Sequence, residues 1–249
     1  MNLILISREE CTEGGCCTLR DARAEHLRTF LHAAPGSTFR VGFIDGPVGT
    51  GRVEAVEGPS VRFTVDCQRP ALPPWYDLIL ALPRPRSLRR ILFQSATLGV
   101  RNLFIVGAAK VEKSYFSMHL LRPEEYTPVL LEGLMQGGTT ALPKLHILPR
   151  LRDLWSALPE ASGLRLLANP APDGAPFALP PGGPGVPLIA VGPDGGWTEA
   201  ENAAFAEHGF QPFTLGPRPL RTDTAAVALP CVVRDRLACL GFLPGAQCL

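Results

Sequence analysis

Two short apolar runs, each closed by a glycine-proline bend and followed by a helix start, restrict this chain more than any other feature. They lie in residues 186–226, VPLIAVGPDGGWTEAENAAFAEHGFQPFTLGPRPLRTDTAA. Leu188-Ile189-Ala190-Val191 reads as a buried strand and runs into Gly192-Pro193-Asp194-Gly195-Gly196. Glycines there can take positive φ and let a ligand approach main-chain NH groups. Phe213-Thr214-Leu215 is the second strand candidate; it leads through Gly216-Pro217-Arg218-Pro219-Leu220-Arg221 to Thr222-Asp223-Thr224-Ala225-Ala226. Ligands of open α/β sheets sit beyond the carboxyl ends of the strands, so both bends are expected to face one small molecule.

The chain around this segment has the periodicity such a sheet needs. From Leu78 onward apolar runs alternate with helical spacing: Leu78 to Leu82, Leu103 to Val106, Leu145 to Leu148 and Leu164 to Ala168 are strand candidates. Between the first two, Leu88, Ile91, Leu92, Ser95 and Leu98 share a helix face, and Gly99 is a natural stop. The segment LEGLMQGG, residues 131–138, ends another helix that Pro123-Glu124-Glu125 opens. Before a proline-rich junction at residues 69–75 the pattern is shorter. Leu3 to Ile6 is a strand candidate, and Asp21 caps a helix that places Ala24, Leu27, Phe30 and Leu31 on one face. Phe39, Val41, Phe43, Val53, Val56, Val61, Phe63 and Val65 then alternate along strands broken by glycines, which suggests a small barrel. Two domains meeting at the junction are expected in 249 residues. Residues 170–187, rich in proline and glycine, form a long loop that is either mobile or a lid.

Bulk charge adds little. A net charge of +1 gives no argument for a polyanionic partner, although 21 of the 24 basic residues are arginines, whose planar fork suits phosphates and base edges. The seven cysteines include no CxxC pair, and Cys11, Cys16 and Cys17 near His26 lack the paired spacing of a zinc site, so free thiols and no metal are expected. The apolar start stops at Arg8-Glu9-Glu10 and no 18-residue apolar run follows. A soluble cytoplasmic protein without a membrane partner is expected.

Charged residues near the bends admit two readings each. Thr198-Glu199-Ala200-Glu201 is a capping box, which accounts for Glu201 without chemistry. Arg84, Arg86, Arg89 and Arg90 either meet phosphates of a ligand or form a solvated helix face. Arg221, just before a helix, either grips an anion or is an ordinary surface residue. Asp194 and Asp223 are candidate bases by location alone, and each could equally be a loop or cap residue. No GxGxxG follows a strand and no GxxxxGK[ST] occurs, so neither a dinucleotide fold nor a P-loop is supported.

The pair GPDGGWTEAE and LGPRPLRTDTAA resembles the signature loops of the SPOUT-class RNA methyltransferases, in particular the RsmE family. The resemblance is specific over residues 188–226, moderate over 87–138 and weak before 70. It implies an α/β fold: a knotted (trefoil) methyltransferase domain at residues 76–249 preceded by a PUA-like β-barrel at residues 1–70 that helps hold RNA. It implies a homodimer that binds S-adenosylmethionine and methylates N3 of a uridine in small-subunit ribosomal RNA. The cofactor-binding residues it implies are Leu167, Gly192, Pro193, Gly195, Gly196, Leu215, Gly216, Leu220, Arg221, Thr224 and Ala225, with Arg221 also catalytic. RNA contacts are expected from Arg84, Arg86, Arg89 and Gln136. Gln94 and Thr97 stand where the family usually has lysine and glutamate, Thr139 where it has arginine, and Asp223 where it has glutamate. The first three departures fall on the expected RNA side. They keep open a relative with another RNA target, or a non-catalytic RNA-binding or ribosome-assembly protein.

Overall fold

The computed structural model describes residues 2–158, 163–169 and 178–243. They form two compact units, one from the described residues up to 73 with 131–142, the other from 74–130 with the described residues from 143 on. The sequence boundary at the proline-rich junction had assigned 131–142 to the second domain. In the structure that segment bonds to the first unit, with Asn2 N and Leu3 N donating to Met135 O and Thr140 Oγ1 donating to Gly46 O at 2.6 Å.

The first unit is a five-stranded sheet of order β1-β3-β4-β5-β2, where β1 is Ile4–Ile6, β2 Cys16–Leu19, β3 Thr38–Phe43, β4 Val48–Glu57 and β5 Ser60–Arg69. Only the β1–β3 pairing is parallel. Its core is Ile4, Ile6, Leu19, Val41, Val53, Val61 and Phe63, the inward positions of the alternating strands, together with Leu27 from α1 (Ala22–Thr29). Asp21 caps α1 by accepting from Arg23 N. Ala24 and Leu27 are buried as expected, but Phe30 and Leu31 are exposed, because the helix ends at Thr29 and the chain reverses through His32 at φ 48°. A second correction concerns the thiols. Cys11 and Cys17 face one another in an isolated antiparallel bridge, Cα atoms 4.3 Å apart, and form a disulfide. Cys16, Cys67, Cys231 and Cys239 are free, and Cys248 lies outside the described residues.

The second unit is a six-stranded, wholly parallel sheet of order β11-β9-β10-β6-β7-β8. Its strands are β6 Tyr76–Ala81, β7 Val100–Val106, β8 Lys144–Leu148, β9 Arg165–Ala168, β10 Leu188–Val191 and β11 Gln211–Phe213. Every residue of β6 and β10 is buried, as a central parallel strand covered on both faces requires. The helices are α2 Pro85–Thr97, α3 Pro123–Gly137, whose residues from 131 on belong to the first unit, the single turn α4 Leu154–Ala157, α5 Glu199–Glu207 and α6 Thr222–Cys239. Gly99 stops α2 at φ 84°, where a Cβ would also meet the Trp75 ring at 3.2 Å. Strand β11 lies two residues before its expected place. Pro212 inside it is tolerated because β11 is an edge strand with one unpaired side. At the amino edge of the sheet, buried Asp77 accepts from Arg101 Nε (3.0 Å) and Nη2 (2.6 Å) and from Asn102 N (3.0 Å) and Nδ2 (2.9 Å). Among the described residues no helix is long and apolar enough to cross a membrane. Residues 170–177, the first part of the expected mobile loop or lid, lie outside the described residues.

Candidate functional site

Strand order reverses between β6 and β10, and the carboxyl ends of β9, β10 and β11 open on one side of that point. After β10 the chain turns through Gly192 to Gly196, and Gly196 adopts φ 68°. A Cβ at Gly192 would lie 3.0 Å from Trp197 Nε1 and 3.2 Å from two of its ring carbons, so this bend is pressed against a buried indole. Lys110 crosses the same bend and donates from Nζ to Gly195 O at 2.7 Å. After β11, Thr214 Oγ1 donates to Gly216 O at 2.9 Å and accepts from Gly216 N at 3.2 Å, which closes the second bend with Gly216 at φ 109°.

Thr222, the first residue of α6, joins the two. Its buried hydroxyl shares one proton between Gly192 O at 3.2 Å and Asp194 Oδ1 at 3.0 Å. A threonine at a polar helix start is often a cap. Instead Arg221 occupies the cap position without a side-chain bond, and the threonine reaches across to the first bend. Between the bends lies a cavity of about 130 Å³, walled by Ala168, Val191, Phe213, Leu215, Leu220 and Leu229, with Asn169, Asp194, Thr214 and Arg218 as polar members.

Of the residues expected at the cofactor, Gly192, Pro193, Gly196, Leu215, Leu220 and Ala225 line this cavity. Leu167 is buried in β9 one residue before the lining Ala168. Gly195 and Gly216 belong to the bends without lining it, Thr224 is exposed on α6, and the Arg221 side chain is 77% exposed. Asn169, Arg218 and Thr222 were not anticipated; the first two sit two positions from expected residues, whereas the reach of Thr222 to Gly192 spans 30 positions and left no local signal.

Two carboxylates organise arginines beside the cavity. Asp194 faces Arg84 Nε at 3.8 Å. Asp223, almost fully buried, receives Arg90 Nη1 at 3.1 Å and lies 3.6 Å from Arg221 Nε. Arg86 and Arg89 are exposed on α2. Gln136 is exposed on α3 within the first unit, where its main-chain carbonyl accepts from Asn2 Nδ2 at 2.9 Å. Thr139, at the altered family position, is buried and donates to Leu72 O at 3.0 Å. Glu201 performs the capping-box role and also accepts from Ala109 N at 2.7 Å, so its oxygens are committed to the fold. A second cavity of about 440 Å³ opens at the ends of β7 and β8, with Lys113, Phe116, Arg150 and Glu201 among its walls.

The RNA methyltransferase domain family matches residues 70–234, the stretch that holds all six parallel strands. The ribosomal RNA small subunit methyltransferase E of Treponema pallidum (strain Nichols) is 33% identical over 245 residues, covering 94% of this chain and 90% of that protein. The chain belongs to the ribosomal RNA small subunit methyltransferase E family. A second methyltransferase E, from Borreliella burgdorferi (strain ATCC 35210 / DSM 4680 / CIP 102532 / B31), is 27% identical over 241 residues, with 95% of this chain and 99% of that one covered. The fold is also that of the crystallised methyltransferase E of Neisseria gonorrhoeae bound to S-adenosyl methionine, with a TM-score of 0.75 at 23% identity over 94% of this chain and 97% of that one.

Proposed function

We infer that this chain transfers a methyl group from S-adenosylmethionine to small-subunit (16S) ribosomal RNA, at N3 of a uridine. The observation that carries the reading is the cavity held between the two glycine bends by the Thr222 hydroxyl. Its residues fit the donor. The walls are apolar enough for an adenine ring, and Gly196 and Gly216 have nothing within 4 Å of an added Cβ, so their backbones stand open. Adenosylmethionine carries no phosphate and needs no cationic cradle; main-chain NH and C=O groups at the bends suffice for its polar edges. When bound, the donor supplies an electrophilic methyl group on a positively charged sulfur.

The chain's part is alignment and charge. The bends and the start of α6 hold the reacting groups at a fixed distance, which converts a bimolecular step into a local one. Arg221, exposed at the cavity's edge, disperses the negative charge that a uracil imide gains as its N3 proton leaves. Arg84, Arg86 and Arg89 contact RNA phosphates, and Gln136 contributes from the first unit. We propose that unit as the PUA-like barrel that helps hold RNA; its largely antiparallel sheet with one helix supports this. The trefoil knot belongs to the same proposal, supported by β10 lying between β6 and β9, out of chain order. So does a homodimer working in the cytoplasm, for which exposed Leu240 and Phe242 after α6 offer apolar surface.

Calorimetric titration with S-adenosylmethionine, followed by tritiated methyl transfer to small subunits and to free RNA, tests the reading. Donor binding and label in either RNA form are expected. Donor binding without label would favour a non-catalytic RNA-binding protein of this fold.

A further inference from the structure

Asp223 presents a combination that the donor cavity does not use. Its side chain is 8% exposed, yet the two guanidinium groups that meet it belong to side chains 60% (Arg90) and 77% (Arg221) exposed. Arg90 comes from α2, 133 positions away, and reaches Oδ2 through Nη1 at 3.1 Å. Arg221 precedes α6 and approaches Oδ1 through Nε at 3.6 Å, while Oδ1 also accepts from Thr224 N at 3.0 Å. A guanidinium has five N–H donors, so each arginine turns one edge to the carboxylate and keeps the rest for something else. The group of three carries a net charge of about +1, with the negative charge beneath and the positive charges outward.

Adhesion between α2 and α6 does not require this arrangement. The two helices already pack together, and each buries apolar residues, Leu88 and Ile91 on α2 and Ala226 and Leu229 on α6. A sequestered carboxylate costs desolvation, and an ion pair with exposed partners returns little stability. What it does supply is direction. Thr222, the neighbouring residue, ties this end of α6 to Gly192 and Asp194, so Asp223 holds the arginines in a set position relative to the bends.

We propose, resting on the RNA methyltransferase reading, that Asp223 is a positioning residue that sets Arg90 and Arg221 side by side as a clamp for one backbone phosphate of the RNA substrate. Pre-ordered guanidiniums bind phosphate through parallel N–H bonds without spending side-chain entropy at each encounter.

The sign of one substitution decides it. If Asp223 were only a nearby negative charge, Asp223→Asn would tighten RNA binding by removing repulsion. Positioning requires the opposite. In filter binding to a 16S ribosomal RNA transcript, Asp223→Asn is expected to weaken affinity about tenfold, the equivalent of one charged hydrogen bond. The slope of log affinity against log salt should become shallower by about 1 to 2, as expected when one or two phosphate contacts are lost. The KM for RNA should rise and, because Arg221 also serves the reacting uracil, kcat should fall; Arg90→Ala should raise KM alone, Asp223→Glu should recover most of both losses, and donor affinity by calorimetry should stay within about twofold. In an Arg90→Ala/Arg221→Ala background Asp223→Asn should have no further effect. Arg90→Ala alone keeps the test available if Asp223→Asn does not fold, and should flatten the slope by about 1. Unchanged or tighter RNA binding by Asp223→Asn, a loss confined to donor binding, or a full effect in the double-alanine background would overturn the proposal while leaving the enzyme reading intact. A parent protein that binds neither the transcript nor small ribosomal subunits would remove both.

Discussion

Three glycines of the second unit separate the geometry of the first bend from general loss of stability. A Cβ at Gly192 would stand 3.0 Å from Trp197 Nε1 and 3.2 Å from Cδ1 and Cε2, and that ring is wedged against Phe205 with centroids 4.8 Å apart. The indole cannot swing aside, so Gly192→Ala must shift the bend by a few tenths of an ångström at a cost of about 2 kcal/mol, typical of overpacking. The Gly192 O to Thr222 Oγ1 bond is already 3.2 Å long and stretches with it. Gly195→Ala meets Lys110 Cδ at 3.0 Å, the flexible part of a long side chain, and is expected to be milder. Gly209→Ala is the control: its backbone is left-handed at φ 76° with nothing within 4 Å, so alanine adds only about 1 kcal/mol of backbone strain. For a chain of this size these costs lower Tm by roughly 4–8 °C for Gly192→Ala and 2–4 °C for Gly209→Ala. Calorimetry should find donor affinity reduced about tenfold in Gly192→Ala, the part of the strain expressed at the cavity, and unchanged in Gly209→Ala. Equal donor affinity in the two variants would refute the argument that the bend's position against Trp197 shapes the site.

Three further outcomes follow from single residues. Thr222→Val keeps the shape and removes the shared proton to Gly192 O and Asp194 Oδ1; a loss of about 1–2 kcal/mol should weaken donor affinity roughly 5- to 30-fold, measurable by the same titration. Asp77→Ala strands the donors of Arg101 and Asn102 at the opposite edge of the sheet and should cost about 3 kcal/mol in urea unfolding, the low end for a buried pair because the Arg101 side chain is 39% exposed, with donor affinity unaltered. In the first unit, hydrogen bonds from Arg23 hold the Asp21 carboxyl below its ordinary range; burial pushes Glu10 up, but Arg23 and Ser7 N pull it further down. Both contributions are therefore complete above about pH 5 and lost as pH falls through the lowered values, so Arg23→Gln should be less stable at pH 7 and show a flatter acid profile. Parallel stability curves for parent and variant between about pH 2 and 5 would contradict this.

The second unit's architecture was readable because central parallel strands are apolar throughout. Leu78 to Leu82 and Leu188 to Val191 announced β6 and β10, and Gly99 marked the end of α2 where the structure places it. What escaped was set by partners distant in sequence. Cys16–Leu19 is a strand only because β5 pairs with it some 45 residues later, and four residues carry too little alternation to say so. Residues 131–142 look like the tail of an ordinary α/β helix, and it is bonds to distant residues such as Asn2, Asp45, Gly46 and Leu72 that assign them to the first unit. Cys11 and Cys17 meet through a local bridge that no paired cysteine spacing announces. At the site, glycines and prolines made both bends visible, because bends need those residues. The links that join the bends, from Thr222 to Gly192 and from Arg90 to Asp223, use ordinary polar residues in ordinary helices and have no local pattern.

Nucleoside mass spectrometry of small-subunit ribosomal RNA, isolated from cells lacking this protein and incubated with it and S-adenosylmethionine, tests the central claim most directly. One new methylated nucleoside, 3-methyluridine, is expected, dependent on the donor and reduced in Thr222→Val. RNA that gains no methylated nucleoside, or gains one methylated elsewhere than uridine N3, would contradict the account.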